Sequence, residues 1–235
     1  DLDGLEVREG SHTFRWHGRY HEDVNERDTV AVDLNVLGEA GPSIPPAFRD
    51  SRYVFLANTH PGLQRELLGQ LEGAELVLAD TMDLWIATEK DALVALLEQI
   101  HGIVLNDSEA RLLTGRANLI EAGREIARMV RDFVVVKKGE HGSVLFTQEA
   151  ICPMPSWPAL TVTDPTGAGD SFAGAMLGHI ADAGSTDLTT LRRAIAYGTV
   201  TASFNLEDFS LRRFLSLTRE EIDARLEQFQ ESLRF

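Results

Sequence analysis

Between residues 53 and 137, short apolar runs alternate with longer stretches whose apolar residues recur every three or four positions. Residues 53–57, 75–80, 102–106 and 133–137 read as strands, and 63–71, 90–100, 108–113 and 119–130 as helices. This alternation predicts a parallel sheet covered by helices on both faces. Ligands of such sheets bind beyond the carboxyl ends of the strands. The polar residues at those ends are Asn58 and His60, Asp80 and Asp83, Asn106 and Glu109, and Lys137 and Lys138. Residues 139–142 then form a hairpin turn into a further strand at 143–146.

A second stretch points to chemistry. Asp164-Pro-Thr-Gly-Ala-Gly-Asp170 follows a β-branched run at 160–163, expected as a strand, and leads into a small-residue helix over 171–180. Gly167 and Gly169 are expected to give positive φ and close backbone approach. The unpaired amides and dipole of a helix start suit an anion, above all a phosphate. Asp170 at the same helix start would repel that anion, unless it takes a proton from a nucleophile attacking it. Phosphoryl transfer needs both parts, a cradle and a base. A Gly-x-Gly-Asp tetrad alone reads equally as a turn and helix cap. The full heptad with its small-residue helix favours function.

With 22 basic and 37 acidic residues the net charge is −15, which argues against nucleic acid as a partner. An acidic chain that binds an anionic nucleotide needs local positive charge or a metal ion. Cys152 is the single cysteine, so an intrachain disulfide and a cysteine-based zinc site are excluded. No apolar run is long enough to span a bilayer and no signal-peptide pattern opens the chain, so a cytoplasmic protein with no membrane partner is expected.

The length of 235 residues suits one domain with a small appendage. In residues 12–21, Phe14, Trp16 and Tyr20 alternate with Thr13, Arg15, His17 and Arg19, and 29–37 is a second strand candidate. Together they predict a small antiparallel sheet with an aromatic face that needs covering. His12 lies on the opposite face from His17 and His21, which argues against a shared metal. Residues 41–46 form a turn-rich connector. Apolar residues at 191–204 and an amphipathic run at 218–230, opened by the capping-box pattern Thr218-Arg-Glu-Glu221, read as closing helices.

The heptad resembles the Asp-x-x-Gly-Ala-Gly-Asp signature of the ribokinase/PfkB family of carbohydrate and nucleoside kinases. The resemblance implies a three-layer α/β/α, Rossmann-like domain over 41–235, with a small β-sheet lid in 1–40 that could also form a homodimer. It implies ATP-dependent transfer of the γ-phosphoryl group to a hydroxyl of a sugar or sugar-like small molecule. Asp170 would be the base and Gly167, Ala168 and Gly169 the anion hole. Asp164 and Thr166 would lie beside the nucleotide, with a monovalent cation such as K+ near Asp164. Asn106 and Glu109 match an Asn-x-x-Glu motif that orders Mg2+ and phosphate oxygens, Glu109 acting largely through water. The same pair reads as a helix capping box, and both readings stand. Lys137, Lys138 and Gly139 resemble the strand end beside the nucleotide, or form an ordinary charged hairpin end. Asp80, followed by Trp85, loosely matches an Asp-x-Asn segment and would bind on the substrate side, orienting phosphate- or metal-bound water, or it only caps the next segment. Asn58 and His60 fall where the family contacts its acceptor.

Two departures stand out. The family's opening βα segment, with an acceptor-binding Asp and a Gly-Gly region, has no counterpart before the lid. Residues 198–205 are bulkier than the family's nucleotide-binding helix, so adenine contacts stay unassigned. A nucleoside kinase of the same fold, or a non-catalytic relative that binds nucleotide or sugar, fits the same motifs.

Overall fold

The computed structural model describes residues 2–20 and 27–234. Strands β1 (Arg15–Tyr20) and β2 (Arg27–Asp33) form an antiparallel two-stranded sheet. Phe14, Trp16 and Gly18 are half-buried while Thr13, Arg15, His17 and Arg19 are exposed, the expected period of two. His21 and the side chain of Tyr20 lie outside the described residues.

The main sheet has six strands in sequence order: β3 (Tyr53–Leu56), β4 (Leu76–Asp80), β5 (Gly102–Asn106), β6 (Phe133–Lys137), β7 (Ser143–Thr147) and β8 (Ile151–Met154). β3 to β6 are parallel; β7 and β8 return antiparallel. Helices α1 (Pro61–Leu68), α2 (Asp83–Thr88), α3 (Lys90–Leu97), α4 (Asp107–Thr114) and α5 (Leu119–Ile126) follow the parallel strands. Helices α6 (Ala168–Ala183), α7 (Leu188–Asn205) and α8 (Arg219–Ser232) close the chain.

Side-chain alternation along each strand divides the interior in two. Leu76, Leu78, Val104, Phe133 and Val135 pack with Phe172, Met176, Ile195 and Phe229 of α6, α7 and α8. Val77, Ala79, Ile103, Leu105, Val134 and Val136 pack with Leu93, Leu97 and Ile126 of α3 and α5. The result is a three-layer α/β/α body. Each such fully buried aliphatic or aromatic side chain contributes roughly 1.5–3 kcal/mol of transfer free energy. The same alternation puts Asp80, Asn106 and Lys137 on the α6 face of their strands, each as the last residue.

Gln64 ties two of the strand ends together. It is 1% exposed, and its side-chain amide lies within hydrogen-bonding distance of Leu56 O (2.8 Å), Ala57 O (3.1 Å) and Asp80 O (3.2 Å). Those carbonyls lie at the ends of β3 and β4, where the ladder stops.

Several elements differ from expectation. Residues 160–163 are not a strand: among the described residues no strand pairs with them, and Thr163 donates its amide instead to Leu206 O at 2.8 Å. β2 stops at Asp33, because Asn35 takes a positive φ of 46° and a 3-10 turn follows over Asn35–Gly38. α2 is too short for a helical period to emerge. β8 was hidden by Pro153, an exposed residue on an edge strand where a missing N–H is tolerated.

Replacing Gln64 with Leu removes the donor and leaves buried carbonyls unpaired. It is expected to lower the unfolding free energy in urea by about 1–3 kcal/mol. A change within the error of the titration would show that these carbonyls find other partners.

Candidate active site

The heptad folds as two linked devices. Asp164 makes a local turn, accepting from the Thr166 amide at 2.9 Å, and also accepts from the Ser210 amide at 3.3 Å. Burial pushes its carboxyl up, but the hydrogen bonds from Thr166 and Ser210 outweigh burial and leave the pKa lowered. Gly167 then takes φ 86° and starts α6, a left-handed conformation that suits glycine. Gly169 lies within the first turn of α6 and, against expectation, has no positive φ. Its lack of a side chain serves clearance: a Cβ built there would stand 2.7 Å from Lys137 Nζ. The Ala168 amide is already used, donating to Pro165 O at 3.2 Å. An anion at the turn is therefore served chiefly by the flanking glycine amides.

Asn205, the last residue of α7 and 1% exposed, braces this turn from behind. Its Nδ2 donates to Thr166 O at 2.9 Å, and its Oδ1 accepts from Ser171 Oγ at 3.2 Å. The bulk noted at 198–205 is spent on the core: Val200, Thr201, Ser203 and Phe204 are buried.

Facing the turn are the ends of β4, β5 and β6. Asp80 is 6% exposed, Thr81 7% and Glu109 5%. Among the described residues, Asp80 Oδ1 and Thr81 Oγ1 have no hydrogen-bond partner. Burial pushes the Asp80 carboxyl up to about 7; the Lys137 charge opposes that rise, and the charges of Asp170 and Glu109 add to it. Asp80 thus lies within electrostatic reach of three charged groups from three other elements. Asp170 is exposed in the first turn of α6.

Asn106 and Glu109 form a reciprocal capping box: Asn106 Oδ1 accepts from the Glu109 amide at 2.8 Å, and Glu109 Oε2 accepts from the Asn106 amide at 2.7 Å. Lys138 closes the following turn through its amide, which donates to Gly142 O at 2.7 Å, and Gly139 has φ 55°. Among the described residues no group of three His, Cys, Asp or Glu could hold a metal ion by itself. The oxygen donors present, a buried carboxylate with an unpaired oxygen beside a second buried carboxylate, suit an ion such as Mg2+ that keeps several waters.

Asn58 and His60 lie elsewhere. Trp85 Nε1 donates to Asn58 Oδ1 at 3.0 Å, and His60 meets the Trp85 ring edge-on at 5.3 Å. His60 caps α1, its Nδ1 accepting from the Gly62 amide at 3.0 Å. His60 and Trp85 help form one wall of a groove of about 640 Å³, and Val32, Leu34 and Leu37 form the other. Asp80 and Asp170 do not line it.

The model of the pfkB family carbohydrate kinases matches residues 69–216, more than half of the chain. The chain belongs to that family. The cytidine kinase of Thermococcus kodakarensis is 27% identical over 182 residues, which are 75% of this chain and 64% of that protein. The nucleoside kinase of Methanocaldococcus jannaschii is 28% identical over 163 residues, 69% of this chain and 51% of that one. The chain thus spans between half and two thirds of these relatives. Among solved structures, the M. jannaschii nucleoside kinase superposes with a TM-score of 0.71 at 24% identity, covering 94% of this chain and 70% of that one. The Burkholderia thailandensis nucleoside kinase in complex with inosine gives 0.72 at 23%, covering 93% and 70%. The fold is therefore the ribokinase-like α/β fold. Among the described residues no helix is long and apolar enough to cross a membrane.

Seen as a pfkB-family site, the cluster contains two residues that motif reading did not assign: Gln64 behind β4 and Asn205 behind the glycine turn. Lys137, read only as part of the strand end beside the nucleotide, stands over that turn, and its parity along β6 matches Phe133 and Val135 of the α6 face.

The raised Asp80 pKa predicts a pH-dependent stability. The folded state holds this proton more tightly than the unfolded state, so Asp80 lowers stability progressively as pH rises from about 4 towards 7. Asp80→Asn is expected to be more stable than the parent at pH 8, by an amount of order a few kcal/mol, with the gap closing towards pH 5. Equal pH profiles in thermal or urea unfolding would show that Asp80 is solvated in the native state.

Proposed function

We propose that this chain carries the phosphotransferase centre of a kinase that moves the γ-phosphoryl group of ATP to a hydroxyl of a sugar or nucleoside. The observation that supports this most is the convergence of an anion-facing glycine turn and an exposed Asp170, both at the start of α6, on the buried carboxylate of Asp80. Asp170 removes the acceptor proton as the acceptor oxygen attacks the γ-phosphorus. The bond to the β–γ bridging oxygen breaks, and ADP leaves with that electron pair. The glycine amides of the turn hold charge on the transferring group, a contribution of about 2.7–4 kcal/mol per donor in comparable sites.

Asn106 and Glu109 would hold Mg2+ through water, with Asp80 nearby. The ion would neutralise the triphosphate charge. Asp164 and Thr166 fix the turn that faces the nucleotide, and a monovalent cation such as K+ near Asp164 belongs to the same reading. Lys138 and Gly139 shape the adjoining loop. The two-stranded sheet, with Asn58 and His60 across the groove from it, forms the lid and acceptor side. Closing it would exclude water and suppress ATP hydrolysis.

Within this reading a nucleoside is favoured over a simple sugar. The relatives named above are a cytidine kinase and a nucleoside kinase, and the lid groove is walled in part by His60, a partly exposed ring on which a base can stack.

The test is ADP release from Mg-ATP with cytidine, inosine, ribose and fructose as acceptors, the parent run beside Asp170→Asn. The expected result is acceptor-dependent release, fastest with a nucleoside, that falls about 100-fold or more in the variant. Turnover unchanged by Asp170→Asn would remove Asp170 from the base role; turnover faster with the free sugars would reverse the acceptor assignment.

A further inference from the structure

The centre so far described is short of positive charge. It gathers Asp80, Glu109 and Asp170 in a chain whose net charge is −15, yet it must take a polyphosphate. Lys137 supplies the missing charge. It ends β6, paired in register with Asn106 of β5 on one side and Ser143 of β7 on the other. Its side chain leaves the sheet on the α6 face and reaches the first turn of α6. Nζ and Cε lie 2.7 and 3.9 Å from where a Cβ at residue 169 would stand. No hydrogen bond or ion pair within 4.0 Å ties this ammonium to a protein group among the described residues. The nearby carboxyl of Asp80, 6% exposed, also keeps one oxygen without a partner.

An ammonium and a carboxylate on strand ends that β5 separates, with no direct contact between them, are a poor structural ion pair. A pair built for stability would close to contact, because desolvated charges gain most at short range. The ammonium instead stands beside the glycine turn, 2.7 Å from the Cβ position of residue 169. An anion seated on the turn amides would meet Lys137 Nζ from the sheet side. We propose that Lys137 is a catalytic residue of this centre, its ammonium contacting the γ-phosphoryl group as that group moves from ATP to the acceptor. It stays protonated throughout and exchanges no proton. It complements the turn amides by meeting the phosphoryl oxygens from the other side, where negative charge develops. Gly169 follows from the same assignment, since any side chain there would displace the ammonium.

This inference rests on the phosphotransferase reading, and the test separates the two. The probes are Mg-ADP and the Mg complex of the non-hydrolysable imido analogue of ATP, titrated calorimetrically into the parent and into Lys137→Met. Only the analogue carries a γ-phosphoryl group. The expected result is about tenfold weaker binding of the analogue in the variant, with ADP affinity changed less than twofold, and recovery of most of the difference in Lys137→Arg. Lys137→Gln replaces the Met variant if that protein does not fold. Equal losses for both nucleotides would make Lys137 a structural or diphosphate contact. No loss for either would leave it as a remote counter-charge to Asp80. Both outcomes overturn the proposal. A parent protein that binds neither nucleotide would instead remove the phosphotransferase reading itself, and the Lys137 assignment with it.

Discussion

The first turn of α6 approaches the end of β6 so closely that a single methyl group at residue 169 would meet the Lys137 ammonium. The rest of the centre depends on that clearance. It lets a helix N-terminus, with its partial positive charge, stand over the carboxyl ends of parallel strands. Those strands deliver Asp80, Asn106 and Lys137 to one face, because each is the last residue of its strand and falls in step with the apolar positions of the α6 side. The turn is fixed in turn by groups the motif does not contain. Asn205 bonds it from α7, and Asp164 bonds both the turn and the loop at Ser210. A heptad alone makes a turn; its bracing holds that turn in place, and under the proposed function such bracing would let its donors act in the transition state without reorganising.

The electrostatics follow from the same crowding. Three carboxylates near one ammonium is a costly arrangement in the absence of ligand, and Asp80 bears the cost as a raised affinity for its proton. A cation arriving beside Asp80 or Glu109 would stabilise the ionised form and release that proton, as oxygen-ligand sites generally do. An anion arriving at the turn would meet the Lys137 ammonium instead. The centre thus brings buried carboxylates and an ammonium together, an arrangement that fits the proposed metal and polyphosphate.

How much of this could be read from the sequence varied with the range of the interaction. The parallel strands were legible because apolar runs and their spacing are local, and β5 and β6 begin and end where the pattern placed them. The run at 160–163 misled because β-branched residues make a strand only where a neighbour offers its edge. Gly169 was read for backbone freedom, yet it serves a contact with a residue 32 positions earlier in the chain, which no local rule reveals. Gln64 and Asn205 were silent for the same reason. A buried amide is defined by carbonyls and hydroxyls brought to it by the fold, and Asn205 reaches back 39 residues to Thr166. Lys137 and Lys138 were read as one strand end, although the period of two along β6 sends them to different faces.

Asn106 and Glu109 show why a cap and a ligand site were hard to separate. In a parallel βα unit every helix begins at the carboxyl end of a strand, the end where ligands bind. Its N-cap is therefore placed at the site by topology before any chemistry is selected. His60 caps α1, Asn106 caps α4 and Gly167 caps α6. The Glu109 carboxylate is held by the Asn106 amide, which costs it one acceptor position and fixes its direction. A carboxylate so fixed orders water around an ion better than a free one, since its rotamer entropy is already spent. Under the proposed reading, capping and metal positioning would be one arrangement serving two ends, and a motif that satisfies the first is the natural place for the second.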